Sequence, residues 1–188
     1  MYKTVDIKMT GVSPLIMHSS VTVDPSNKFS RAMKEISGKR KKVDADYEEM
    51  ARIEYMAGLY TQGGKVILPS YVIEASFVSG AKKVKAGMQA KSGLFIDKSP
   101  ELIYDGPTDA KELFASEDFK LVVPVKVGMA KVMRTRPMFK DWSCVVQISY
   151  MEDVLNERQV IDFAEQAGML CGVGDWRPKF GRFVVEKV

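Results

Sequence analysis

Hydrophobic and polar positions alternate from the start of the chain: Val5, Ile7 and Met9 are interleaved with Thr4, Asp6, Lys8 and Thr10. A period of two predicts a half-buried strand over residues 2–11, ended by Gly11 and Pro14. The alternation returns in Leu121, Val123, Val125, Val127 and Met129, which predicts a long strand over 120–130. Pro124 falls inside that run and has no N–H for a ladder, so the strand is expected at a sheet edge or a bulge. Trp142, Cys144, Val146, Ile148 and Tyr150 predict a further strand over 142–150, and a last strand is expected at 181–187.

Helical spacing marks two other segments. Ile73, Phe77 and Val84 share one side of a helix predicted over 69–84, whose opposite side of Ala75, Ser76, Ser79 and Gly80 is small enough to lie close to a sheet. Asn156 is a natural cap for a helix over 156–170, with Gln159 in the capping-box position. Val160, Phe163, Ala164 and Ala167 fall at i, i+3, i+4 and i+7 and form its core face. The segment 13–68 is more polar. It predicts a short helix around 29–36, a second over 44–58 with Asp44 and Asp46 at its positive end, and a short strand at 66–68. Residues 86–118 hold only weak strand signals, near 94–96 and 102–104.

The strongest elements therefore read βαββαβ. This order predicts an α+β, ferredoxin-like (RRM-like) fold: an antiparallel sheet with helices on one face, plus an insertion at about 13–68 after the first strand. The 188 residues suit a single domain over 1–188. No apolar run approaches the ~20 residues of a membrane helix. The opening MYKTVDIKMT has no apolar signal core, and Cys144 and Cys171 lack zinc-ligand spacing. These features predict reduced thiols, no metal, no cofactor and a cytoplasmic location.

Charge changes the picture. The net charge is only +4, but residues 26–42 carry +6, residues 82–91 carry +4 and residues 126–140 carry +5, which leaves −11 on the remainder. Segregation of this kind points to a polyanionic partner. The candidate cations are Lys39, Arg40, Lys41 and Lys42, then Lys82 and Lys83, then Arg134, Arg136 and Lys140. The glycine-rich stretch 172–181 adds Arg177 and Lys179, followed by Arg182, and interleaves them with Trp176 and Phe180. Stacking rings beside cations on a glycine-rich loop suit a single strand, where bases stack and phosphates pair. Gly172 and Gly174 do not make a dinucleotide fingerprint, because this loop follows a helix and precedes a strand.

The helix–glycine loop–strand ending, with Gly172-Val173-Gly174 and Gly181-Arg182-Phe183, resembles the C-terminal loop of the RAMP superfamily, the RNA-binding proteins of CRISPR effector complexes. Gly11-Val12-Ser13-Pro14-Leu15-Ile16 after the first strand, and Ile67-Leu68-Pro69-Ser70 before a helix, are similar to other parts of that family. The resemblance implies that Gly172, Gly174, Trp176, Arg177, Lys179 and Gly181 border an RNA path. It implies that the basic connection 131–141, with Arg134, Arg136 and Lys140, is a thumb, and that Lys39 to Lys42 belong to an insertion that orders on binding. The expected function is non-catalytic binding of single-stranded nucleic acid, RNA in the first instance, by copies assembled head to tail in an antiviral ribonucleoprotein. Two alternatives stand beside it. One is a RAMP-type endoribonuclease using the only histidine, His18, assisted by Tyr47, Tyr55, Tyr60 or Tyr71 if these converge on it. The other is a self-assembling viral structural or regulatory protein, or an inhibitor that mimics a CRISPR subunit.

Overall fold

In the computed structural model, which describes residues 1–188 apart from the side chain of Val127, the N-terminal alternation forms strand β1 (Tyr2–Gly11). The chain continues through β2 (Leu15–Ile16), a 3-10 turn, α1 (Lys28–Ser37) and α2 (Asp44–Gly58). Two short strands, β3 (Thr61–Gln62) and β4 (Lys65–Val66), precede α3 (Ser70–Lys83), α4 (Gly87–Gly93) and β5 (Leu94–Phe95). After α5 (Ala110–Ala115) come β6 (Lys120–Val127), β7 (Ala130–Phe139), β8 (Ser143–Met151) and α6 (Glu157–Gln166). A π-helical turn (Ala167–Cys171) and β9 (Phe183–Lys187) complete the chain. Among the described residues no helix is long and apolar enough to cross a membrane.

The architecture is α+β. Four antiparallel strands form one sheet in the order β5-β8-β1-β9. Its inner face is set by the period of two: Val5, Ile7 and Met9 of β1 and Cys144, Val146 and Ile148 of β8 are buried. They pack in one core with Ile73 and Phe77 of α3 and Val160, Phe163 and Ala164 of α6. The alternate residues Thr4, Asp6, Lys8, Val145 and Gln147 face outward and are exposed. Asn156 and Gln159 cap α6 reciprocally, each side chain taking the other's backbone N–H at 3.0 Å, as the sequence predicts. The small-residue side of α3 meets a helix and a loop instead of a sheet. A Cβ on Gly80 would overlap the carbonyl oxygen of Phe163 in α6, and Ser76 donates to the carbonyl of Gly172 at 2.7 Å.

The long strand expected in the main sheet at 120–130 lies elsewhere. β6 pairs only with β7, over the register Lys120↔Pro137 to Val127↔Ala130, and forms the edge of a separate sheet ordered β2-β7-β6. Pro124 thus sits on an edge, as its missing N–H requires. The expected basic connection at 131–141 is largely the strand β7 itself. The reversal comes earlier, at the two-residue turn Gly128-Met129, where Gly128 has φ +61°. Two features hid this. A hairpin strand with one half-buried face has the same alternation as a sheet strand, and the Lys and Arg residues of β7 masked its own alternation. The place beside β8 in the main sheet belongs to β5, a strand of two residues. The base of the hairpin packs on α2 of the 13–68 insertion, and its outer part exposes Val122, Met129 and Met133.

Candidate nucleic-acid interface

The glycine-rich loop is anchored on both sides. Val173 donates its N–H to the carbonyl of Gly181 at 2.8 Å, Gly181 donates to Pro14 at 2.8 Å and Asp175 donates to Ile16 at 2.8 Å. Gly181 has φ +72°, and a Cβ there would overlap the carbonyl oxygen of Val173, so no other residue fits this crossing. The loop that glycine content marks as flexible is therefore held against the segment after β1. Between the anchors, Trp176 (φ +52°) and Phe180 are half-buried with ring centroids 6.2 Å apart. Neither joins the core cluster. Lys179 places its ammonium 5.5 Å from the Phe180 ring centroid.

The loop runs beside one face of α3. Tyr71, Ala75, Ser79, Lys82 and Lys83 line this face, and two depressions open along it. The first, about 250 Å³, is lined by His18, Tyr60, Tyr71, Ala75, Asp175 and Arg177. The second, about 520 Å³, is lined by Ser79, Lys82, Lys83, Cys171, Arg177 and Pro178. Arg177 borders both, so the two form one trough with rings at one end and cations at the other. Tyr71 is 60 % exposed, which leaves its ring free to stack. Lys82, Lys83, Arg177 and Lys179 make no ion pair among the described residues, so their charge is open to an anion.

His18 is exposed overall, yet its imidazole is desolvated on the cavity side. This desolvation, and next the Arg136 guanidinium, hold its pKa below the usual histidine value. The imidazole is thus neutral at pH 7. Tyr60 donates its hydroxyl to the His18 carbonyl at 3.0 Å, and burial, with Tyr71 close by, pushes its phenol pKa up. Tyr60 and Tyr71 line the same depression as His18. Tyr55 does not: it is buried in the core and donates to the Phe119 carbonyl at 3.0 Å. Tyr47 lies exposed on α2.

The remaining predicted cations are dispersed. Arg136 is a correction: it does not stand on the surface of a thumb. It is buried at the base of the hairpin, with Nη1 2.6 Å from Glu54 Oε1 and Nε 3.5 Å from Asp175 Oδ2. Arg134 shares the same Glu54 oxygen at 3.3 Å, and Lys140 pairs with Asp118 at 2.6 Å. Lys39 pairs with Asp46 at 2.6 Å, Arg40 and Lys41 are exposed on the turn between α1 and α2, and half-buried Lys42 donates to the Lys39 carbonyl at 3.0 Å. Arg182 donates to the Pro178 carbonyl at 2.8 Å and borders a separate, mainly apolar groove with Glu165 and Met169. Gly172 and Gly174 shape the loop backbone beside the trough.

Sequence reasoning placed Arg177, Lys82 and Lys83 among the binding candidates and Tyr71 only beside His18 in the ribonuclease alternative, and it gave Asp175 no role. No local pattern could have found them, because the trough gathers single residues from the segment after β1, from α3 and from the C-terminal loop. The chain matches no protein-family model and no curated protein.

Proposed function

We propose that this chain binds single-stranded nucleic acid, RNA in the first instance, in the trough between α3 and the glycine-rich loop. The observation that carries this reading is Arg177 bridging a depression walled by tyrosines and one walled by Lys82 and Lys83. Bases stack on rings while the backbone runs over unpaired cations. The frame is read as ferredoxin-like, with β5 as its second strand. The sheet order β5-β8-β1-β9, with α3 between β1 and β5 and α6 between β8 and β9, supports a βαββαβ arrangement, and with it a RAMP-like relationship. Copies assemble head to tail along the strand, and the exposed Val122, Met129 and Met133 of the hairpin offer apolar surface for the contact.

Fluorescence anisotropy of a labelled single-stranded RNA across a salt series tests this. Three trough cations on phosphates give a log–log slope of about −2 for a single strand. The slope becomes shallower by about 1.4 in Lys82→Ala/Lys83→Ala. Absence of binding at low salt, or a slope indifferent to this double substitution, sinks the reading.

A second reading has its own support, the placing of Tyr60, Tyr71 and Arg177 in one depression with His18. A neutral imidazole is competent to take the 2′-hydroxyl proton of RNA, with Arg177 beside the phosphate. Incubating end-labelled RNA with wild type and His18→Ala decides it. Cleavage by neither protein, or equally by both, removes ribonuclease activity from consideration.

A further inference from the structure

The ring-walled depression contains an acid. Asp175 borders it with a side chain 26 % exposed, and the other charged residue lining this depression is Arg177. A phosphate is repelled from the neighbourhood of a carboxylate, so the group that enters here brings hydrogen-bond donors. The volume, about 250 Å³, lies below the roughly 300–1,000 Å³ of clefts for drug-sized ligands and suits a single heterocycle. Phosphates are left to the Lys82–Lys83 end. Resting on the binding reading above, the geometry points to a base-selective pocket: one unstacked guanine enters beside Tyr71 and presents its Watson–Crick edge to Asp175.

The choice of guanine follows from donor count. An ionised carboxylate has about four acceptor sites. On Asp175, one is taken by the Trp176 N–H at 3.0 Å, and a second faces Arg136 Nε at 3.5 Å. The free lone pairs on the two oxygens accept two adjacent donors. Guanine alone carries N1–H and an N2 amino group side by side. Adenine and cytosine set a bare ring nitrogen beside their amino group, which points a lone pair at the carboxylate. Uracil offers one N–H between two carbonyls. A site built to accept two donors rejects bases that leave its acceptors unpaired. Neutral His18 and the Tyr60 hydroxyl complete the polar wall.

The experiment uses the full chain and labelled nine-nucleotide uridine RNAs carrying one central guanine, inosine, adenine, cytosine or uracil. Guanine is expected to bind roughly 5- to 150-fold tighter than adenine, the range of one bidentate base contact. Inosine, which lacks the N2 amino group, falls between them. Asp175→Asn retains an oxygen for the Trp176 N–H and is expected to remove the guanine preference. Tyr71→Ala is expected to weaken all five RNAs while keeping their order. Equal affinity for the five RNAs, or an undiminished guanine preference in a folded Asp175→Asn, overturns the pocket assignment and leaves the binding reading standing. Failure of all five to bind overturns the binding reading and the pocket with it.

Discussion

The Nε of Arg136 stands 3.5 Å from Oδ2 of Asp175, which joins the base of the β-hairpin to the glycine-rich loop. The same guanidinium reaches Glu54 of α2 at 2.6 Å, and its Nε makes no hydrogen bond among the described residues. One buried cation thus links the insertion helix, the hairpin and the loop beside the trough. Glu54 also accepts the Thr135 N–H at 2.8 Å, so it serves a backbone donor as well as the charge.

Removing Glu54 strands that cation. Glu54→Ala is expected to cost about 3–5 kcal/mol, the loss seen when one partner of a buried pair is deleted. Glu54→Ala combined with Arg136→Met should recover part of this, because the buried guanidinium that Glu54 neutralises is removed with it. Urea denaturation of the single and double variants measures both. A Glu54→Ala loss under about 1 kcal/mol contradicts the burial argument.

Two glycines separate conformational from steric cost. Gly63 has φ +59° with open space around it, so Gly63→Ala should lose only about 1–2 kcal/mol. Gly181→Ala adds a collision with the Val173 carbonyl and should lose more than about 3 kcal/mol. Thermal unfolding of the pair gives the comparison.

The pKa of His18 is lowered in the folded state, so between that value and about 6.5 the unfolded chain binds more protons. Stability from this group is present above pH 6.5 and is lost as pH falls through the window. The urea midpoint of wild type should drop between pH 7.5 and pH 5.5 by more than that of His18→Gln. As His18 is the only histidine, its imidazole proton resonances can be followed directly and should titrate below 6.5.

The two thiols differ sharply. Cys144 is buried in the sheet and its thiol is pushed up to about 12, whereas Cys171 is half-buried and borders the cationic end of the trough. One thiol per chain should react with a disulfide reagent in the native state and two after unfolding. Saturating single-stranded RNA should slow the first reaction. Equal rates with and without RNA argue against occupancy of that end.

Tyr71 and Trp176 both lie outside the core cluster. Replacing either with Ala should cost about 1–3 kcal/mol of RNA affinity if a base stacks on it. Melting temperature should change little in Tyr71→Ala, since Tyr71 is 60 % exposed. Anisotropy and calorimetry on the same preparations separate the two effects.

The parts legible in the sequence are those with a local cause. The period of two in β1 and β8, the reciprocal cap of α6 and the glycine spacing of the loop each need only neighbouring residues. β5 gave only the weak signal near 94–96, because two residues contain no period. The hairpin was misplaced because alternation reports a half-buried face without saying which sheet buries it. The burial of Arg136 depends on Glu54, 82 residues away, and charge alone marks such a residue as surface. His18, Tyr71 and Asp175 meet only in the folded chain.

The crossing of Gly181 over Val173 bears on the thermodynamics of recognition. A segment that must order on contact surrenders affinity to conformational entropy. Here the loop is fixed before any ligand arrives, and the strand alone has freedom to lose. Association through this surface should accordingly proceed as rigid docking, with a heat-capacity change set by the apolar area of the rings and no added contribution from folding of the loop.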